Sequence, residues 1–267
     1  MNLNSPRFYV SPPPSPSFLA KLLSGVMRRH VEAILAKDML HNKGYVSACF
    51  EQDNLSEFDA ETQQRHDAPG LSWHYPLFWL FNRVRPFREV LEIGTFDGKF
   101  AAFMHDCSCS NVVTIDLPSD DYRFINSYDR REREKRTSFI NARDSLLARR
   151  KDRLKFIEMD SADLAATFGT SPKYDFVWVD GDHTSPRVEG DIAQCLDLLK
   201  EDGIMLCDDV LPFAECSGSS TSASFLYLEA LYSDGRIDVE YVLKRIRPSN
   251  SRLMRRKYIA IIKKVKS

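Results

Sequence analysis

Acidic residues stand at the ends of several short apolar runs in the middle of the chain. The first run enters a glycine turn, EIGTFDG at residues 92–98, where small residues let the backbone approach a ligand closely. A helix that starts at such a turn points its free amide groups toward a bound nucleotide. Later runs end at Asp116, Asp160, Asp180 and the pair Asp208 and Asp209. If these runs are strands of one sheet, the carboxylates crowd one edge of it and line a crevice.

Three segments resemble motifs of the class I S-adenosylmethionine-dependent methyltransferases, in particular the divalent-metal-dependent O-methyltransferases with their sugar and antibiotic-type members. They are EIGTFDG at 92–98, YDFVWVDGDH at 174–183 and LLKEDGIMLCDD at 198–209. The resemblance extends from about Ser72 to the end of the chain, and the three segments follow one another at spacings that fit a single domain.

The resemblance implies that the glycine turn binds S-adenosylmethionine. Gly94, Thr95 and Gly98 would contact the amino-acid part of this cofactor. Glu92 would face its ammonium group. Phe96, also assigned to the cofactor, stands where many nucleotide-binding loops have a glycine, and the O-methyltransferase group shows the same departure. The GxGxxG fingerprint of NAD-binding domains is not met, which disfavours an NAD-binding or nucleotide-sugar enzyme.

Acidic residues after the second and third predicted strands complete the expected cofactor site. Asp116 is suited to accept hydrogen bonds from two ribose hydroxyls. Asp160 and Ser161 lie where the resembling enzymes contact adenine. The alternative for Asp160 is a structural role as the cap of the helix that follows it.

The remaining aspartates predict a metal site. The fourth and fifth strands are neighbours in a doubly wound sheet of this class, so Asp180 should lie about 5 Å from the Asp208 and Asp209 pair. Carboxylates brought together repel unless a cation lies between them, and oxygen ligands suit Mg²⁺. In the resembling enzymes the matching residues are the metal ligands, although the last is often Asn. The alternative is that Asp208 or Asp209 caps a turn or binds the cofactor.

His183 is the candidate general base. It lies three positions after Asp180, which is also assigned to catalysis. Imidazole titrates near neutral pH, as a general base requires. Some sugar-type enzymes of the resembling group carry a histidine at the matching place. Asp182 is a weaker candidate for the same role. The alternative is that His183 only forms a hydrogen bond in its loop.

Hydrophobic patterning predicts the elements that position these residues. Strands are expected at 89–93, 111–116, 154–159, 175–180, 203–207, 237–244 and 257–264, and helices at 99–106 and 186–200. Alternating strands and helices favour a parallel sheet with right-handed crossovers. We therefore predict an α/β fold, a doubly wound Rossmann-like sheet of seven strands whose last strand is antiparallel, with a helical N-terminal extension.

Composition shifts suggest two regions. Residues 1–70 form a Pro-rich leader and a helical extension, and residues 71–267 form the methyltransferase domain. A helix at 17–40 is expected to dock on the core, or alternatively to bind a membrane surface or a partner. A charged insertion at about 121–153 carries mixed charges at helical spacing, which is typical of a solvated helix. A lid or a contact with an acidic substrate is the other interpretation.

Composition limits the partners and the compartment. The 267 residues carry a formal net charge of −1, which argues against a general polyanion binder, and we expect no nucleic acid partner. No apolar run approaches the roughly 20 residues that span a bilayer, so no transmembrane segment is expected. The six cysteines form no CxxC pair, which favours reduced thiols and a cytoplasmic location. N-terminal extensions often pack between subunits in similar enzymes, so we expect a homo-oligomer.

The predicted function is therefore an S-adenosylmethionine-dependent O-methyltransferase that uses Mg²⁺ or another divalent cation and acts on a hydroxylated small molecule. Two alternatives remain open. One is a metal-independent N-methyltransferase, and the other is a non-catalytic scaffold or interaction protein with the same fold.

Overall fold

The computed structural model describes residues 74–211, 222–247 and 255–265. Its strands are β1 Glu89–Ile93, β2 Asn111–Asp116, β3 Leu154–Glu158, β4 Tyr174–Val179, β5 Leu199–Val210, β6 Ile237–Arg247 and β7 Arg255–Lys264. Its helices are α1 His74–Val84, α2 Lys99–Cys107, α3 Tyr122–Asn126, α4 Arg133–Ala148, α5 Leu164–Phe168, α6 Arg187–Leu198 and α7 Ser222–Ser233, with 3-10 turns at Tyr128–Arg131 and Ser161–Asp163.

The seven strands form one sheet in the order β3-β2-β1-β4-β5-β7-β6. Strands β1 to β5 pair in parallel, whereas β7 lies between β5 and β6 and runs antiparallel to both. The predicted doubly wound sheet with an antiparallel last strand is confirmed. Strand order reverses between β1 and β4, and a sheet of this kind opens its ligand crevice beyond the carboxyl ends of the strands at that point.

Alternate residues of the central strands supply the cores on the two faces of the sheet. Leu91 and Ile93 of β1 face one core, which α6 and α7 cover. Val90 faces the other, which is rich in aromatic rings from α1 and α2. In that aromatic core Phe78 of α1 packs edge-on against Phe176 of β4, with 5.0 Å between ring centroids. Packing on both faces of the sheet therefore fixes the positions of the strand ends.

Several element bounds differ from the predicted ones. Strand β5 begins at Leu199 instead of residue 203, because Leu199 is buried and already pairs with Tyr174 of β4. The register of these two strands then shifts before Phe176 pairs with Ile204. The helix predicted at 186–200 ends at Leu198 for the same reason.

The charged insertion is only partly the solvated helix that its composition indicates. Most of α4 is exposed, but Arg143 is 1% exposed and lies over the ring of Phe156 at 4.3 Å. Arg130, in the preceding 3-10 turn, is also buried and lies 4.0 Å from the ring centre of Phe124. Arginine tolerates such burial because its planar, weakly hydrated guanidinium stacks on aromatic rings.

Other predictions concern residues outside these ranges. The Pro-rich leader, the helix at 17–40 and the domain boundary near residue 70 lie outside the described residues. Within the described residues no helix is both long and apolar enough to cross a bilayer. Among the described cysteines, Cys109, Cys195 and Cys207 are free thiols.

Candidate active site

The glycine turn after β1 is pressed against the end of β4. Gly94 adopts a φ of 95°, and a Cβ at this position would lie 2.2 Å from the carbonyl oxygen of Asp180. The Gly94 amide donates a hydrogen bond to the Ile115 carbonyl at 2.9 Å, which ties the turn to β2 as well. Gly98 has a φ of 75°, and its Cβ would come within 2.9 Å of Leu147. Both glycines are needed because positive φ and close packing coincide at these positions.

Glu92 is a buried carboxylate held by hydroxyl groups. It is 1% exposed, and the hydroxyl of Thr114 donates to its Oε2 at 2.5 Å. The hydroxyl oxygen of Thr95 lies 2.5 Å from that of Thr114, so Thr95 donates to Thr114 when Glu92 is ionised. Burial raises the pKa of Glu92 well above its ordinary value, the Thr114 hydrogen bond lowers it in part, and nearby Asp180 raises it further. A positively charged ligand group beside Glu92 would relieve this cost.

Asp116 is anchored by two backbone amides at the end of β2. Its Oδ2 accepts a hydrogen bond from the Phe96 amide at 2.9 Å, and its Oδ1 accepts one from Leu117 at 2.8 Å. Burial raises the pKa of this carboxyl group despite the two amide hydrogen bonds, which act against it. Each carboxylate oxygen keeps a second lone pair, so Asp116 can still accept hydrogen bonds from a diol. Phe96 itself adopts a φ of 48° and leaves its ring 43% exposed.

Asp160 serves the local backbone and also joins an ion-pair network. Its Oδ1 accepts a hydrogen bond from the Ala162 amide at 3.0 Å, which is the capping role considered as the alternative. Its Oδ2 lies 2.8 Å from Arg123 and 3.5 Å from Arg187. Burial alone would raise the pKa of Asp160, but the Ala162 amide and Arg123 lower it. The neighbouring Ser161 lowers the pKa of the buried Asp191 in part, although burial raises it to about 6.

Asp180 and His183 lie in contact at the end of β4 and form an ion pair when His183 is protonated. Asp180 Oδ1 lies 3.3 Å from His183 Nε2. Burial and the charge of Asp208 raise the pKa of Asp180 to about 6, although His183 lowers it in part. Burial alone would lower the pKa of His183, but Asp180 outweighs it and the net shift is upward. The pair can therefore hold a proton near neutral pH.

Lys244 pairs with both aspartates at the end of β5. Its Nζ contacts Asp208 Oδ2 and lies 3.2 Å from Asp209 Oδ1. All three side chains are buried. Asp208 Oδ1 is also buried and accepts no hydrogen bond from the part of the chain that the structure describes. Sequence patterning did not reveal this lysine, because it lies 36 residues from Asp208 in a strand that is otherwise ordinary.

The predicted magnesium ligands do not meet as a set. Across the described ranges, no group of three or more His, Cys, Asp or Glu side chains is arranged to hold a metal ion. Lys244 already supplies a positive charge to Asp208 and Asp209, while Asp180 pairs with His183. A divalent ion at this place would have to displace the ammonium group or bear its repulsion. The residues as arranged do not fit a resident metal.

Comparisons with known proteins agree with this fold. Residues 91–210, a little under half of the chain, match the family model described as a methyltransferase domain. No curated protein sequence matches the chain. The O-methyltransferase from Bacillus cereus in complex with SAH is 17% identical with a TM-score of 0.52, over 83% of this chain and 96% of that one. The O-methyltransferase TomG from Streptomyces achromogenes, involved in tomaymycin synthesis and solved with SAM, is 19% identical with the same TM-score, over 83% of this chain and 95% of that one.

The sheet order and the glycine turn agree with the fold of the class I S-adenosylmethionine-dependent methyltransferases. Residues 91–210 carry the methyltransferase domain that the family match describes.

Proposed function

We propose that this protein transfers a methyl group from S-adenosylmethionine to a hydroxyl oxygen of a small molecule. The observation that carries the proposal is the Asp180 and His183 ion pair, which lies at the carboxyl end of β4 directly against the glycine turn. A base held there stands beside the expected cofactor site. The structural likeness to O-methyltransferases is consistent with oxygen as the acceptor atom.

Residues at the ends of β1 and β2 are proposed to bind the cofactor. Glu92 would pair with its ammonium group, because a buried carboxylate with a raised pKa gains most from a cationic partner. The turn residues Gly94, Thr95, Phe96 and Gly98 would follow the amino-acid part. Asp116 would accept the ribose hydroxyls through its free lone pairs.

The adenine side is proposed to lie at the end of β3. There Ser161 and the capping residue Asp160 line the approach, and Arg123 draws α3 of the insertion toward Asp160. Adenine at this place would lie beside the ion pairs of Asp160. It would be one strand away from Asp116, because β3 pairs with β2.

His183 is proposed to remove the proton of the acceptor hydroxyl. Its Nε2 is engaged by Asp180, which leaves Nδ1 to take the proton. Asp180 then stabilises the imidazolium that forms, as a carboxylate does for any histidine base. When bound, S-adenosylmethionine supplies an electrophilic methyl group on its sulfonium. The acceptor oxygen forms a bond to that methyl carbon as the bond from carbon to sulfur breaks.

The proposed methyl transfer has a metal-dependent form, in which Mg²⁺ would assist the reaction, and a metal-independent form. Three aspartates at neighbouring strand ends support it, since a cation between them would polarise the acceptor hydroxyl. The ion pairs of Lys244 argue for the metal-independent form. A cytoplasmic location, a homo-oligomeric state and the absence of a nucleic acid partner remain predictions.

The test compares the variant His183→Gln with the matched control variant His105→Gln. His105 is also paired with aspartates, Asp106 at 2.7 Å and Asp152 at 3.2 Å, but it belongs to α2 away from the strand ends. We expect both variants to bind S-adenosylmethionine in calorimetry as the wild type does. His183→Gln should lower methyl transfer to hydroxylated acceptors by roughly a hundredfold or more, whereas His105→Gln should leave it unchanged.

The acceptor class is read from a panel of hydroxylated and amine compounds with methyl-labelled cofactor. Preferential labelling of amines would replace the proposal with the N-methyltransferase alternative. A folded wild-type protein that binds no cofactor would leave the non-catalytic scaffold as the better account. Full activity in His183→Gln would refute the role of this residue as the base.

A further inference from the structure

Two irregularities in the sheet bring Lys244 to the aspartate pair. In β5 the register against β7 shifts between Cys207 and Val210, so the intervening Asp208 and Asp209 bulge out of the ladder. In β6 the register against β7 shifts between Leu243 and Arg245, and Lys244 is the residue that bulges. Both irregularities lie next to Tyr258 of β7, which pairs with Val210 on one side and Leu243 on the other.

Bulges of this kind redirect side chains and are frequent near active sites. Strand β6 is separated from β5 by β7, so the two backbones lie roughly 10 Å apart. Lys244 spans much of that gap with its four-carbon stem. Asp209 contributes from the other side, where its φ of 52° places this residue in the left-handed region. The backbone on both strands is thus shaped to let these side chains meet.

Burial makes the contact a strong one. Lys244 is 6% exposed, Asp208 1% and Asp209 8%, so none of these charges is well solvated. A buried ammonium requires a carboxylate partner, and two adjacent buried carboxylates require a cation. Each side of the contact therefore satisfies the need of the other. Asp180 pairs with His183 at 3.3 Å, and the positive charge of Lys244 also acts on it.

We infer that Lys244 is a built-in cation that replaces a divalent metal ion at the Asp208 and Asp209 pair. It is a positioning residue, since it holds the two carboxylates together at the end of β5 beside the crevice. The protein then needs no metal to assemble this half of its site, and a metal ion is excluded as long as Lys244 is present. The pairing of Lys244 with the two aspartates does not depend on the identity of the methyl acceptor.

The experiment measures Mn²⁺ binding by the loss of the free-ion signal in electron paramagnetic resonance. It uses the full-length wild type, Lys244→Met, which keeps the length and removes the charge, and Lys264→Met as a control. Lys264 lies on the neighbouring β7 and pairs with Glu201 at 3.2 Å, so this control removes an ordinary strand lysine. Folding of each variant is checked by circular dichroism.

We expect the wild type and Lys264→Met to show no saturable Mn²⁺ site. Lys244→Met should gain one, with affinity raised at least about tenfold, because a like charge close to the ion has been removed and two carboxylates have lost the ammonium group that they share. Lys244→Arg should resemble the wild type. A wild-type Mn²⁺ site that Asp208→Asn abolishes would overturn the inference, and so would a folded Lys244→Met that gains no affinity.

A second measurement covers the case in which Lys244→Met does not fold. The melting temperature of the wild type is followed with increasing Mg²⁺, beside Asp208→Asn. A ligand that binds only the folded state raises the melting temperature. We expect no rise beyond that of a monovalent salt at equal ionic strength. A Mg²⁺-dependent rise in the wild type that is absent from Asp208→Asn would overturn the inference.

Discussion

The two halves of the crevice hold their carboxylates in different ways. At the ends of β1 and β2, Glu92 is held by the Thr114 hydroxyl and Asp116 by backbone amides, which are neutral donors. At the ends of β4 and β5, Asp180 is held by His183, and Asp208 and Asp209 are held by a lysine ammonium. The residue types are the same on both sides, but the compensation is by dipoles in one half and by ionisable cations in the other.

The difference indicates what each half is prepared to bind. Dipoles orient a carboxylate but leave most of its charge uncompensated, so the half around Glu92 still favours a cation. The sulfonium and ammonium of S-adenosylmethionine meet that demand. The half around Lys244 already contains an ammonium group beside its carboxylates, so its demand for a further cation is smaller. A neutral hydroxyl compound therefore suits it better than a charged one.

Gly94 lies where the two halves touch, and its substitution should have the largest effect. In Gly94→Ala the new Cβ would meet the Asp180 carbonyl oxygen at 2.2 Å while the backbone keeps a φ of 95°. Strain and overpacking together should lower the free energy of unfolding by roughly 2–5 kcal/mol. Denaturant unfolding measures this loss, and calorimetry should show that cofactor binding is lost with it.

Gly190→Ala is the matched control. Gly190 lies within α6, and a Cβ there would meet nothing within 4 Å. Alanine should stabilise the helix by about 0.5–1 kcal/mol. Equal stability of the two variants would mean that the turn is not pressed against β4, and the two halves would then be independent.

Removing the charge of Glu92 tests the demand for a cation directly. Glu92→Gln keeps the shape and one acceptor oxygen but cannot attract an ammonium group. Cofactor affinity should fall by roughly ten- to hundredfold, as expected for a lost hydrogen bond to a charged group. Glu89→Gln on the same strand, where Asn111 donates to the carboxylate at 2.8 Å, should leave affinity unchanged. Calorimetric titration of both variants with S-adenosylmethionine decides; unchanged affinity in Glu92→Gln would remove the ammonium contact from the proposal.

Sequence reasoning recovered one half of the site better than the other. The glycine turn and the strand ends are local patterns, since each depends on neighbouring residues and on the alternation of strand and helix. The compensating groups are not local. Thr114 lies 22 residues from Glu92 and Lys244 lies 36 from Asp208, and the bulge that aims Lys244 leaves no compositional trace. Three aspartates therefore suggested a metal, where the fold places a lysine.

Thr114 is the link between the neutral donors of the first half. Thr114→Val is nearly isosteric but leaves Glu92 without its donor and Thr95 without its acceptor. The loss should reduce the free energy of unfolding by about 1–3 kcal/mol, the cost of a buried polar group left unpaired. Denaturant titration measures it. Thr170→Val, outside the elements and exposed, is the control and should change stability by less than about 0.5 kcal/mol. A similar small change in Thr114→Val would show that hydroxyl groups do not stabilise Glu92.

The smallest expected effect is a shift in the pH profile of methyl transfer, which tests the half around Asp180 and His183. His183 must be neutral to accept a proton, and Asp180 raises its pKa, so methyl transfer should rise with pH through that raised pKa. In Asp180→Asn the hydrogen bond and the charge of Asp180 are lost, while burial still lowers the pKa of His183 and only the charges of Asp208 and Asp209 still raise it. The rising limb of kcat/KM should therefore move to lower pH. The maximal rate should also fall, because the imidazolium has lost its partner. Asp182→Asn, an exposed neighbour whose carboxylate accepts a hydrogen bond from Thr184, should leave the limb in place. A limb that stays in place in Asp180→Asn would assign the titration to a different base, and the cationic half would then lack its proposed role in proton transfer.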